Sequence, residues 1–264
     1  MNVSSYFIVT EPEKMGFPYI ECMESALSFS DELVVVCGRE EKQSEEKIRA
    51  LGDKVKIIKT NAWPIDWGYD VMRDHLQIGL DACSGDFSLK VDVDWIFRAE
   101  NSNDLRNIFE EHDDAHQIIF GKVNYYSGNW GCKRGFRSIK TPICYALNKT
   151  LLEENDITCE ISNKTGSNLP SFDKSINTFD VNDNKLWPVN YDKTFMSKDQ
   201  IIEQWSRWFQ AYEKNRGSEY TIKETEDVWV HYVEYQKMKS SAVTFDEDSF
   251  HPEIMRKMLA SNAV

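Results

Sequence analysis

The chain has 264 residues, 41% of them hydrophobic and 12% aromatic, which is enough to bury one large core. Its 31 Lys and Arg against 44 Asp and Glu leave a formal net charge of −13, which argues against broad non-specific binding to nucleic acid, because phosphate contacts need cations. No run of about 18 apolar residues occurs, so no membrane-spanning helix is expected.

The first ten residues lack a basic n-region, and the apolar stretch Tyr6 to Val9 is too short for a signal-peptide core, so a cytoplasmic protein is expected. Tyr6 to Thr10 reads as a buried strand. Phe17 to Ser30 carries apolar residues at helical spacing. Glu32 to Cys37 is a second buried strand, Glu45 to Leu51 a short helix and Lys54 to Lys59 a third strand. Tyr69 to Cys83 predicts a helix that stops at Ser84-Gly85. Phe87 to Val93 is the fourth strand.

Strands separated by helix-length crossovers predict an α/β fold with a mostly parallel central sheet flanked by helices. Ligands of such sheets bind beyond the carboxyl ends of the strands. Three strand ends follow from that rule: Thr10-Glu11-Pro12, Cys37-Gly38-Arg39 and Asp92-Val93-Asp94.

Beyond Asp94 a helix is predicted over Asn103 to His112, then strands over Gln117 to Tyr126 and Ile139 to Leu147. Leu151 to Phe195 is polar with little periodicity and reads as a long functional loop. Lys198 to Tyr212 reads as a helix with Trp205, Trp208 and Phe209 on one side. Val228 to Tyr232 reads as a short strand, and Pro252 to Leu259 as a last helix. The six cysteines are widely spread with no C-x-x-C pair, so buried thiols are expected rather than a zinc site.

Asp92 and Asp94 carry the clearest chemistry. Residues two apart on an extended strand share a face, so the two carboxylates can converge. Their mutual repulsion is relieved by a hard divalent cation, Mg2+ or Mn2+, which takes carboxylates together with substrate phosphates. Two aspartates that merely end a strand are the plain alternative.

The stretch from Gln77 to Asp94, with Gly85-Asp86, an apolar strand and Asp-x-Asp, resembles the family-2-like glycosyltransferases of the GT-A fold. Phe17 to Leu27 followed by Asp31 to Val36 is similar to that family's first helix and second strand. Tyr125-Tyr126-Ser127-Gly128 and Val228-Trp229-Val230-His231-Tyr232 are similar to its later strand and late histidine. The resemblance covers about half of the chain, in the family's order.

It implies one GT-A domain over residues 1–264, with a nucleotide-sugar half (1–100) and a smaller acceptor-side half (101–264). It implies a nucleotide-diphosphate sugar donor, with a UDP-sugar first, and transfer to the hydroxyl of a glycan or another acceptor, with inversion. It also implies a metal on Asp92 and Asp94, with His231 completing the shell. The family's base-reading acid after the second strand is replaced by Cys37, Gly38 and Arg39, and its Asn after the first strand by Thr10-Glu11-Pro12. Glu11 or Asp66 could stand in as base readers.

Arg73 and Gln77, on the helix before the Asp-x-Asp strand, are donor-contact candidates with Asp92. Tyr126, Trp130 and Arg134 are candidates from the later loop, whose Lys133, Arg134, Arg137 and Lys140 form a basic cluster that suits a diphosphate or an anionic acceptor. The base that deprotonates the acceptor is sought in Asp180 or Asp227. His112, His116, His75 and His251 read as structural or exposed. A GT-A-like domain retained as a binding or scaffold module is the competing reading.

Overall fold

The computed structural model describes residues 1–39, 41–64, 67–162, 169–191, 193–216, 225–245 and 248–261. Four parallel strands form its first half: β1 (Val3–Val9), β2 (Glu32–Cys37), β3 (Val55–Lys59) and β4 (Phe87–Lys90), in the spatial order β3-β2-β1-β4. The crossovers are α2 (Tyr19–Leu27) after the short α1 (Pro12–Met15), then α3 (Lys42–Arg49) and α4 (Tyr69–Ala82).

Parallel strands covered on both faces must be apolar on both, and here neighbours in the chain divide between two cores. Phe7 and Val35 pack with Phe87, Phe109 and Phe120 on one side. Tyr6 and Val34 pack with Leu76, Leu80 and Tyr145 on the other. Gly79 lets α4 approach β1: a methyl group there would lie 2.8 Å from Cδ2 of Tyr6.

The second half continues the sheet. β5 (Trp95–Ile96) is followed by α5 (Ser102–Glu111), then β6 (Gln117–Tyr126) and β7 (Gly135–Asn148) form a long antiparallel pair. After α6 (Lys149–Glu154), β8 (Cys159–Ile161) and β9 (Pro170–Phe172) form a separate two-stranded sheet. β10 (Thr178–Val181) and β11 (Val189–Asn190) both return to β6, and α7 (Lys198–Arg216), α8 (Thr225–Ser240) and α9 (Glu253–Ser261) complete the chain. The main path is β3-β2-β1-β4-β7-β6-β11-β5.

That order forces curvature. β4 and β5 are four strand spacings apart along the sheet, about 19 Å if it were flat. The chain from Lys90 to Trp95 can span at most about 18 Å even when fully extended, and it contains a turn. The sheet therefore curls until its far edge returns beside β4. The Lys90 ammonium lies 4.5 Å from the centre of the Trp95 ring, a direct contact across the curl.

Several sequence expectations change. The fourth strand stops at Lys90 instead of Val93, because Trp95 N–H bonds back to the Asp92 carbonyl at 3.0 Å and turns the chain. Asp92 and Asp94 therefore share a turn, not a strand face. The predicted strand Val228 to Tyr232 is part of α8: Val228 and Tyr232 point inward while Val230 and His231 are exposed, a distribution only a helix gives. The supposed loop from Leu151 to Phe195 holds α6 and four short strands. All six cysteines are free, with Cys22, Cys37, Cys83 and Cys144 buried.

Candidate active site at the carboxyl edge of the sheet

The turn after β4 is anchored from below. The Cys22 thiol of α2 donates to the carbonyls of Asp92 (3.2 Å) and Trp95 (2.9 Å), and burial pushes that thiol well above its usual pKa, so it stays a neutral donor. Tyr191 N–H, just after β11, bonds to the Asp94 carbonyl at 3.0 Å. The turn is thus fixed by its backbone.

Lys90, almost fully buried, donates to Oδ1 of Asp92 at 2.5 Å. Lys122 of β6 approaches the same Trp95 ring, at 5.2 Å from its centre. Two lysines and two aspartates thus meet where the sheet curls on itself, which is a place suited to an anionic group and its counter-charge.

A second cluster lies at the ends of β1 and β2. Glu11 adopts a left-handed φ of 48°, and its Oε2 accepts from Arg39 at 2.8 Å and from Arg207 of α7 at 3.2 Å. Arg39 also donates to the Trp63 carbonyl at 2.8 Å. Gly38 is required here, since a Cβ would come within 2.9 Å of both Thr10 and Trp63. A cleft opens beside the cluster, lined by Val9, Cys37, Arg39, Glu41, Lys59 and Asn61 among others. Desolvation raises the Cys37 thiol to about 11, so at neutral pH it offers an S–H and not a charge.

Helix α7 roofs this end of the sheet. Gln200 bonds to the Lys14 carbonyl at 2.6 Å, Glu203 pairs with Lys14 at 2.7 Å, and the Trp208 ring stands edge-on to Trp67 with centroids 5.0 Å apart. Oε1 of Gln204 is buried and has no hydrogen-bond partner among the described residues. Gln204, Arg207 and Trp208 are site-edge residues that the sequence reading passed over. Trp205, Trp208 and Phe209 of α7 also divide rather than share a side. Trp205 and Phe209 turn toward α8, and only Trp208 faces the strand ends. Helical spacing alone does not separate Trp205 from Trp208, because residues three apart and residues four apart are both neighbours on a helix surface.

The remaining candidates separate. Arg73 pairs with its neighbour Asp74, and Gln77 spends its amide on Asp81 and on Ile161 N–H, tying α4 to β8. Asp66 lies outside the described residues. Tyr126 ends β6 and is buried; Trp130 stands exposed four residues on. Of the basic cluster, Lys133 and Arg137 serve the end of α8, and Lys140 is exposed on β7. Lys133 Nζ and Arg137 donate to the carbonyls of Val243 and Lys239, at and just beyond the helix end where its dipole is negative, and Arg134 pairs with Asp248.

His231 is not brought to the aspartates. It sits exposed on α8, its ring 5.4 Å from Phe209 and 5.8 Å from Trp205, because the segment is a helix. Asp180 is also remote from the site. β10 pairs with the amino end of β6, Asp180 opposite Ile119, and seven strand residues, about 23 Å, separate that level from Tyr126. Asp227 is exposed in the first turns of α8, two residues before Trp229, which packs on Trp130.

Among the described residues no three His, Cys, Asp or Glu side chains gather as a metal cage. Asp92 and Asp94 still suit a hard cation shared with a substrate. Both are carboxylates of one short turn, Asp92 is 40% exposed with only Oδ1 committed to Lys90, and such ions commonly take one or two carboxylates plus phosphate oxygens and water.

No protein-family model matches the chain, and no curated protein sequence does. Among solved structures, S. aureus TarS residues 1–349 superposes with a TM-score of 0.50 at 14% identity, over 92% of this chain and 89% of that one. A mannosyltransferase from Pyrobaculum calidifontis in complex with GDP-Man and Mn2+ gives 0.48 at 10% identity, over 100% and 75%. A CMP-2-keto-3-deoxy-manno-octonic acid synthetase complexed with CTP gives 0.40 at 13%, over 69% and 90%. The likeness to TarS, with the curled and mostly parallel sheet flanked by helices, shows that the chain has the GT-A fold.

Proposed function

We propose that this protein transfers a sugar from a nucleotide-diphosphate donor, a UDP-sugar first, to an acceptor hydroxyl, with inversion and with Mg2+ or Mn2+ at Asp92 and Asp94. The observation that carries the reading is the position of that turn: two carboxylates and two lysines at the carboxyl edge of a GT-A sheet, flanked by the Arg39–Glu11–Arg207 cluster.

Asp94 and the open oxygen of Asp92 would hold the cation, which when bound supplies positive charge toward the departing diphosphate. Lys90 keeps the Asp92 carboxylate oriented. Arg39 and Arg207, held by Glu11, are two guanidinium groups in reach of the cleft, where planar forks suit phosphate oxygens. Asp227 is the base candidate on the acceptor side, since Trp229 ties its helix to the β6–β7 turn.

The scaffold reading has one observation in its favour: the charges of this edge are already paired within the chain. Thermal melting separates the two. With UDP and Mn2+ at about 100 times Kd, the unfolding free energy should rise by about 2.7 kcal/mol and Tm by about 5 °C or more. Asp94→Ala should lose that shift. A wild-type chain that neither shifts with UDP, GDP or dTDP nor slowly hydrolyses their sugars would belong to the scaffold reading.

A further inference from the structure

Trp130 occupies the turn between β6 and β7 with φ 59° and ψ 27°, the left-handed region. For a bulky aromatic residue this conformation costs about 1 to 2 kcal/mol. A glycine would make the same turn without strain, as Gly128 and Gly131 do on either side. The indole is therefore not there for the backbone. Nor is it there for the core, since the residue is 44% exposed. Its ring stands edge-to-face on Trp229, centroids 4.8 Å apart and planes at 87°, which braces it.

The strand register puts this ring on the same edge of the sheet as the Asp92–Asp94 turn. Trp95, Asn190 and Asn124 lie at one level on the adjacent strands β5, β11 and β6, two spacings or about 10 Å from end to end. Trp130 rises from the end of β6 at that same edge. A group held there lies on the edge where donor chemistry would occur, and nearness of that kind is what transfer to an acceptor requires.

The chemistry of the ring narrows what that group can be. The chain is strongly acidic, and Lys133 and Arg137 are turned to carbonyls at the end of α8 and Arg134 to Asp248, while two further lysines come close: Lys198 lies 4.9 Å from the centre of the Trp229 ring and Lys237 lies against Gly131. The exposed indole face itself offers no positive charge. A neutral pyranose needs none: its axial C–H groups form an apolar face that stacks on an indole, while its hydroxyls stay in water.

We infer that Trp130, braced by Trp229, is the platform for a neutral carbohydrate acceptor, an inference that rests on the sugar-transfer reading above. The test uses the full chain without donor, titrated calorimetrically with maltotetraose, cellotetraose and chitotetraose, and with a heparin tetrasaccharide as the anionic arm. At least one neutral tetrasaccharide should bind at millimolar concentration or below. Trp130→Gly should weaken it about tenfold and Trp130→Phe by less than about threefold. The glycine variant should melt no lower than wild type and keep the UDP and Mn2+ shift.

The inference is overturned if no neutral tetrasaccharide binds, if heparin binds better, if Trp130→Gly binds as well as wild type, or if that variant melts lower, which would make the ring a packing element. A wild-type chain that binds the neutral sugar but shows no nucleotide shift would instead overturn the transfer reading and leave the platform standing.

Discussion

The two sides of the sheet's carboxyl edge are built on opposite principles. Toward β1, β2 and α7 it is ionic and internally satisfied: Glu11 holds Arg39 and Arg207, Lys14 holds Glu203, and Lys90 holds Asp92. Toward β6, β11 and α8 it is aromatic, with Tyr125, Tyr191, His251 and Phe136 packed together beneath the turn that lifts Trp130 into solvent. The contrast is physical. A partly buried charge must be paired before any ligand comes, whereas an indole can wait uncovered at little cost.

Acid separates the two sides, with the largest expected effect. Burial pushes the His251 imidazole, bonded to the Tyr191 hydroxyl at 2.7 Å, down to about 4, against about 6.5 when unfolded. Asp248 pulls the other way, and Arg134, Arg98 and Arg256 add to the depression. Between these values the unfolded chain binds the extra proton, so stability falls as pH drops from about 6.5 toward 4, by about 3 kcal/mol in all.

On the ionic side, burial alone raises Glu13, but hydrogen bonds from Lys47 and from the Tyr19 hydroxyl outweigh it and leave its carboxyl below the usual range. That group releases its stabilisation only below about pH 4.5. Urea melts from pH 7 to 4 should show the first loss in wild type and a flat line there for His251→Phe; equal slopes would erase the distinction.

A smaller effect tests the packing behind the ionic side. Gly79→Ala drives a methyl group into the buried Tyr6 ring and should cost about 2 kcal/mol, read from the urea midpoint. The smallest probes the pairing itself. Glu11→Gln releases Arg39 and Arg207 from their shared carboxylate, so UDP should bind about threefold tighter and with a steeper salt dependence, while stability changes by about 0.5 kcal/mol. Weaker UDP binding would give Glu11 a direct part in holding the donor.

The ionic side is also the more legible one. Strands β1 to β4 and helices α2 to α4 show in the sequence because each is one local period, bounded by Gly, Pro or charge. The order Gly85-Asp86, apolar strand, Asp-x-Asp points to the edge, although the turn at Asp92 is invisible to a period-two argument because one backbone bond from Trp95 creates it.

The aromatic side is written over long distances. β10 and β11 are four and two residues long and gain their meaning only by pairing with β6, some sixty residues earlier. Helix α8 carries apolar residues around its whole circumference, some packed on α7 and on the Trp130 turn and others, such as Val230 and Met238, exposed, and so its local pattern mimics a strand. Trp205 and Trp208 look equivalent in the sequence, yet they serve different faces.

The curl of the sheet bears on how binding would be felt through the molecule. The Asp92–Trp95 turn is the clasp of an open ring: it joins two strands that are neighbours in the chain but ends of a hydrogen-bonded path four ladders long. A molecule held at Asp92 and Asp94 would stiffen the clasp, and slowed amide exchange would reach β4 and β5 together, skipping the ladders between them. The response would follow the clasp and not the order of the ladders.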